Sequence, residues 1–75
     1  MMEEKVKENI IFGKRVAYLR KQKGISQEQL SYSSKLNRTY MGAIERGEKT
    51  PSLTTMIKIA HGLNMNLKEL LGDEF

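Results

Sequence analysis

The 75-residue chain has the length of one small domain and carries a net charge of +4. It contains no cysteine, which excludes disulfide bonds, zinc fingers and thiol catalysis. No apolar run approaches the length of a membrane span, and the N-terminal MMEEKVKENI lacks the apolar core of a signal peptide. The composition therefore predicts a single cytoplasmic domain over residues 1–75 that depends on apolar packing.

Basic residues cluster in the first two-thirds of the chain. No acid lies between Glu8 and Glu28, whereas the acids near the C-terminus come close together. The basic groups are Lys14, Arg15, Arg20, Lys21 and Lys23, followed by Lys35, Arg38, Arg46 and Lys49. An uneven positive field of this kind attracts polyanions, although lysines that only keep the surface soluble would explain the charge equally well.

The first two predicted elements are helices. Phe12, Val16 and Leu19 recur at helical spacing, which predicts a helix from about Asn9 to Lys23 that stops at Gly24. A second helix, roughly residues 27–34, follows the capping-box pattern SQEQ. Its predicted inward positions are Leu30, Ser31 and Ser34.

Three further helices complete the prediction. Asn37 is a favoured N-cap for a helix from Arg38 to about Arg46, which ends at Gly47 and directs Met41 and Ile44 into the core. The fourth helix follows Ser52, carries Leu53, Ile57, Ala60 and Leu63 at helical spacing, and closes at Asn64. The fifth begins at Asn66 and carries Leu67, Leu70 and Leu71. No strand pattern persists, so the fold class is all-α.

Two short helices joined tightly, at 27–34 and 38–46, are typical of a helix-turn-helix, whose second helix enters the DNA major groove. Arg38 could bind guanine through a bidentate fork, and Thr39 could contact a neighbouring base. Gln27 and the free amides of its helix could hold a phosphate, while Tyr40, Arg46 and Lys49 suit the sugar-phosphate flanks. This chemistry favours DNA binding over an ordinary solvated helix start.

The stretch from residue 10 to about 72 resembles the Xre/Cro-CI family of helix-turn-helix regulators. The shared features are LR..KG.SQE.L in the first two helices, IERGEKTPSL after the third, and KIA..L in the fourth. Within that family, LNRTY followed by IERG is most similar to the controller proteins of restriction–modification systems.

The resemblance implies a compact five-helix, lambda-repressor-like DNA-binding domain with its helix-turn-helix at about 26–46. It assigns base reading to Arg38 and Thr39, a phosphate contact to Tyr40, and a position facing the groove floor to Ala43. It also implies an ion pair between Arg20 and Glu45. The full set of predicted DNA-binding residues is Gln27, Asn37, Arg38, Thr39, Tyr40, Ala43, Arg46 and Lys49.

Two positions depart from the family pattern. Gly42 lies inside the predicted recognition helix, where glycine costs about 1 kcal/mol of helix propensity relative to alanine. Position 43 is alanine where phage repressors often carry a long polar side chain. Base discrimination would therefore rest on Arg38 and Thr39, with apolar contact from Ala43 to a thymine methyl.

The C-terminal region, about 62–75, is richer in apolar residues than a short helix needs, and the family generally dimerises. We predict a homodimer interface there, as an alternative to simple core closure. Its predicted residues are Leu63, Met65, Leu67, Leu70, Leu71 and Phe75.

The resemblance implies a homodimeric, sequence-specific transcriptional regulator that binds double-stranded DNA at a pseudo-palindrome, uses no cofactor or metal, and is not an enzyme. RNA polymerase is a further candidate partner. Three alternatives remain: a phage-type or host repressor, which genomic neighbours would distinguish; an antitoxin-like interaction module, which would co-purify with a partner; and a structural helical domain, which would bind DNA without sequence preference.

Overall fold

The computed structural model describes residues 6–75 and contains five α-helices in that range, with no strand. The helices are α1 Lys7–Gln22, α2 Gln27–Ser34, α3 Arg38–Glu45, α4 Leu53–Gly62 and α5 Leu67–Leu71. The predicted all-α class and the order of elements are confirmed. The first helix begins two residues earlier than predicted and the third ends one residue earlier. None of the helices in residues 6–75 is long and apolar enough to span a membrane.

Local capping fixes where four of the helices begin. The hydroxyl of Ser26 accepts a hydrogen bond from the amide of Gln29, whose side chain returns one to the Ser26 amide, so the predicted capping box is present. Asn66 and Glu69 form a second capping box at the start of α5. The side chains of Asn37 and Ser52 cap α3 and α4 in the same way. These polar residues satisfy amides that have no partner within their helix.

The core lies where the five helices meet, and α2 packs most extensively against α4. Its members come from every helix: Phe12, Val16, Leu19, Leu30, Met41, Ile44, Ile59, Ala60, Leu63 and Leu70. Ser31 and Ser34 are buried with Leu30 on the inner face of α2, as predicted. Helices α2 and α4 approach closely where Ser34 meets Gly62, because a Cβ at Gly62 would collide with the Ser34 hydroxyl.

The inward face of α4 differs from the prediction. The apolar stripe predicted from helical spacing is not buried along its whole length, because Leu53 and Ile57 are 58% and 37% exposed. Ile59 is buried instead, together with Ala60 and the following Leu63. The C-terminal half of the predicted stripe, Ala60 and Leu63, therefore faces the core together with Ile59, whereas its N-terminal half, Leu53 and Ile57, faces solvent.

The first helix positions α3 through a close backbone contact at Gly13. A Cβ at this position would overlap the carbonyl oxygens of Ile44 and Glu45, so only glycine allows this approach. The amide of the buried Asn9 side chain also donates to the Thr50 hydroxyl, at 2.7 Å, in the turn after α3. The C-terminal end of α3 is thereby fixed against α1.

Candidate nucleic-acid interface

The first turn of α3 projects polar side chains from an anchored helix. Asn37 is exposed, and its Oδ1 accepts a hydrogen bond from the amide of Tyr40 at 2.9 Å, so its side chain is used as the N-cap. Arg38 and Thr39 follow and are both exposed. The first turn of α3 therefore exposes a guanidinium and a hydroxyl group to solvent.

The opposite face of α3 holds the helix in place. Met41 and Ile44 are buried in the core, as predicted from their spacing. Tyr40 is half-buried and packs against the same core cluster, so its ring is fixed while it remains partly accessible. The first-turn side chains of α3 therefore project from a helix that is anchored in the core.

An ion pair joins α1 to the end of α3. The Nε and Nη2 atoms of Arg20 donate to the two carboxylate oxygens of Glu45 at 2.7 Å and 3.0 Å. The Arg20 and Glu45 side chains are only 12% and 5% exposed, and Arg20 Nη1 also donates to the carbonyl of Ile25. The hydrogen bond to Glu45 is the main cause that raises the pKa of Arg20, with a smaller Coulombic contribution from the same carboxylate; desolvation opposes both. The predicted structural pair is confirmed.

Gln27 belongs to this network as well as to the start of α2. Its Nε2 donates to Oε1 of Glu45 at 2.8 Å, a contact the sequence did not predict. The amides of Gln27 and Glu28 precede the first intrahelical bond of α2, which Leu30 donates to the Ser26 carbonyl. The side chain of Gln27 thus ties α2 to α3 at the point where those amides face outward.

The exit turn of α3 carries a second ion pair. Arg46 donates from Nε and Nη2 to the carboxylate of Glu48 at 2.8 Å and 3.1 Å, and the two side chains are 56% and 41% exposed. The hydrogen bond to Glu48, followed by its charge, raises the pKa of Arg46. Lys49 is exposed beside this pair. Opposite charges at positions i and i+2 of a predicted turn could have indicated this ion pair, which was not predicted from the sequence.

Ala43, which was predicted to face the groove floor, is only 7% exposed. Helix α3 packs against both α1 and α2, and the Ala43 carbonyl accepts a hydrogen bond from the amide of Glu48. The methyl group of Ala43 therefore presents little surface to a base, and its contact with DNA stays a prediction.

The C-terminal apolar residues divide into two sets. Leu63 and Leu70 are completely buried in the core of the single chain, so neither can form a dimer interface as predicted. They are buried because α4 and α5 close the core with these side chains. The remaining predicted residues stay at or near the surface: Met65, Leu67 and Leu71 are half-buried, and Phe75 is 59% exposed.

Arg15 and Arg20 have structural roles, although the charge pattern grouped them with the residues that would attract a polyanion. Arg20 is committed to Glu45, as described. Arg15 donates from Nε to the carbonyl of Leu70 and from Nη2 to the carbonyl of Glu69, at 2.9 Å and 3.0 Å. These contacts satisfy carbonyls near the end of α5 and fasten it to α1. Of these two arginines, only Arg20 has its charge balanced by a carboxylate, because Arg15 binds neutral carbonyls.

Comparison with known proteins agrees with this geometry. The helix-turn-helix family matches residues 16–70. The control protein C.MunI from a Mycoplasma species is 42% identical over 65 residues, covering 85% of this chain and 88% of its own. The control protein C.SmaI from Serratia marcescens is 41% identical over 61 residues, covering 81% and 73%.

Solved structures show the same similarity. The restriction–modification controller protein C.AhdI from Aeromonas hydrophila superposes with a TM-score of 0.83 at 40% identity, over 87% of this chain and 98% of that one. The controller protein C.Esp1396I gives a TM-score of 0.80 at 29% identity, over 88% and 90%. The predicted resemblance to controller proteins is confirmed. The chain belongs to the helix-turn-helix family of the Xre/Cro-CI type.

Proposed function

We propose that the protein is a homodimeric, sequence-specific DNA-binding regulator of transcription that inserts α3 into the major groove. The observation that carries the proposal is the division of α3 into two faces. Arg38 and Thr39 are exposed on its first turn, whereas Met41 and Ile44 are buried on the other side. A helix that only filled the core would not need a projecting guanidinium on a rigid first turn.

Base reading falls to Arg38 and Thr39. An arginine fork matches the O6 and N7 acceptors of guanine, and a threonine offers either a hydroxyl or a methyl group to the next base. The anchored backbone matters here, because a bidentate contact discriminates only when its donors are held in register with the base edge. We expect each subunit to recognise only a few base pairs directly.

The flanking contacts are to phosphate and sugar. The exposed amides at the start of α2, with Gln27 beside them, form one phosphate position, and the accessible part of Tyr40 forms another. Arg46 and Lys49 lie in the turn after α3 and extend the positive surface, although Arg46 must exchange Glu48 for phosphate to contribute fully. Asn37 acts through its cap, which fixes the first turn.

Two subunits would place two copies of α3 about 34–36 Å apart, which matches successive major grooves on one side of the duplex. Phe75, with the half-buried Met65, Leu67 and Leu71, is the apolar surface that we assign to the dimer. Covering these groups in a second subunit would remove an exposed aromatic ring from water.

Relatives named as control proteins suggest the biological role. We infer that the protein controls a restriction–modification system from DNA sites upstream of its own gene and of the endonuclease gene. Acting on DNA, it would work in the cytoplasm. RNA polymerase stays a candidate partner for any activating role.

Selection of bound duplexes from a random pool tests the function. We expect a pseudo-palindromic site whose half-sites are about one helical turn apart. A pool that shows no enrichment would contradict sequence-specific binding. Co-purification of an identified protein that binds the surface around Phe75 would instead favour the antitoxin-like interaction module.

A further inference from the structure

Gly42 lies on the face of α3 that carries Arg38 one turn before it and Arg46 one turn after it. Gly42 is buried, although both arginines are exposed. An added Cβ would lie 3.2 Å from Nη1 of Arg38 and 3.1 Å from Nη1 of Arg46, and 3.6 Å from Oε1 of Gln27. The three polar groups therefore border one gap above the bare backbone, which we call the Gly42 gap.

We propose that Gly42 is a positioning residue for base recognition, because the Gly42 gap leaves room for the guanidinium of Arg38 to lie close against α3. The inference rests on the proposed DNA-binding function. An exposed arginine normally samples many rotamers, and ordering it on binding costs entropy. An unsubstituted helix surface at position 42 keeps a rotamer close to α3 open to Arg38, and a Cβ there would crowd it.

The other two side chains beside the Gly42 gap, Arg46 and Gln27, each have a hydrogen-bonding partner. Arg46 is held by Glu48 through Nε and Nη2, which leaves Nη1 as the atom nearest Gly42. Gln27 is held by Glu45 through Nε2, which leaves Oε1 towards the gap. Within residues 6–75, Arg38 has no such ion pair or hydrogen bond. A methyl group at position 42 would therefore displace Arg38 more readily than its neighbours.

This arrangement gives a reason for glycine inside the recognition helix. Alanine would favour the helix, and its Cβ would meet only the ends of flexible side chains, so the fold would accept it. What alanine would change is the position of the Arg38 guanidinium, by a few tenths of an ångström or by rotation into another rotamer. A bidentate contact to a base is sensitive to that shift, whereas attraction to phosphate is not.

Gly42→Ala tests the proposal on duplexes selected by the unmodified protein. We expect a melting temperature at or above that of the unmodified protein and non-specific affinity within about twofold. The ratio of specific to non-specific affinity should fall by about threefold or more, part of the roughly 5- to 150-fold that one bidentate contact supplies. In an Arg38→Ala background, Gly42→Ala should leave the ratio unchanged. Thr54→Ala, on the exposed side of α4, is the control for a gain in helix propensity alone.

An unchanged or higher ratio in Gly42→Ala would overturn the inference, and so would an equal fall in the Arg38→Ala background. These results differ from the result that would contradict the proposed DNA-binding function. If the unmodified protein enriches no site from a random pool, the function itself is wrong. If it enriches a site that Gly42→Ala binds with the same selectivity, only the role of Gly42 is wrong.

Discussion

The two ion pairs found among residues 6–75 should differ sharply in what they contribute to stability. The Arg20–Glu45 pair joins α1 to α3 with side chains that are 12% and 5% exposed, whereas the Arg46–Glu48 pair is 56% and 41% exposed. Arg20→Met removes one partner of the first pair. It leaves the Glu45 carboxylate largely buried, with Gln27 as its one remaining donor in the described network, and deprives the Ile25 carbonyl of its Arg20 partner.

The expected loss follows from this geometry. Breaking a fully buried pair costs about 3–5 kcal/mol. Because Arg20 keeps some solvent access and Gln27 still donates to Glu45, we expect about 2–3 kcal/mol. A 75-residue domain has about 4–11 kcal/mol in total, so this single change would remove a large share of it. Glu48→Gln, the matched change in the exposed pair, should leave stability nearly unchanged because solvent screens that pair.

Urea denaturation followed by circular dichroism measures the difference, at one fixed protein concentration because dimerisation would contribute to stability. Arg20→Met should lower the midpoint strongly without a change of slope, and Glu48→Gln should not. The double variant Arg20→Met/Glu45→Leu should recover much of the loss, because no unpaired carboxylate remains. If Arg20→Met were as mild as Glu48→Gln, or if the double variant were less stable than Arg20→Met, the structural role of the pair would be refuted.

Three further changes probe other parts of the structure. Gly13→Ala should lower the free energy of unfolding by about 1–3 kcal/mol, because its Cβ would collide with backbone carbonyls; a denaturation midpoint at or above that of the unmodified protein would contradict the close helix contact. Lys49→Ala should weaken specific and random DNA alike and reduce the salt slope of binding by about one unit at most; an unchanged slope would remove Lys49 from the interface. Phe75→Ser should weaken self-association in sedimentation equilibrium, and an unaltered dimer constant would place the interface elsewhere.

Much of the fold could be predicted because its signals are local. Ser26, Asn37, Ser52 and Asn66 each cap the helix that follows, and a cap needs only the next few residues. The core positions of α3 followed from helical period in the same way. The Arg20–Glu45 pair was available only through resemblance to a family, since nothing local links residues 25 positions apart.

The errors arose where tertiary packing decides between equivalent local patterns. Helical period alone could not tell where along α4 the apolar stripe leaves the core, so it did not separate the exposed Leu53 and Ile57 from the buried Ala60 and Leu63. Apolar character could not separate core closure from dimerisation, so Leu63 and Leu70 were assigned to the interface. Ala43 was expected on the DNA-facing surface, but only 7% of it is exposed once α3 packs against its neighbours.

Contacts to backbone atoms were equally invisible in the sequence. Arg15 binds carbonyls near the end of α5, and Gly13 accommodates the carbonyls at the end of α3. Neither role has a sequence motif, because any residue can supply a carbonyl. The same applies to Gly42, whose surroundings are defined by side chains from two helices.

The central claim is that the first turn of α3 reads bases, and Arg38→Ala tests it most directly. Affinities of the unmodified and substituted proteins would be measured on the selected site and on random duplex across a range of salt concentrations. We expect a loss of about 1–3 kcal/mol on the selected site with non-specific binding largely retained. An equal loss on both duplexes would make Arg38 a phosphate contact and contradict the claim.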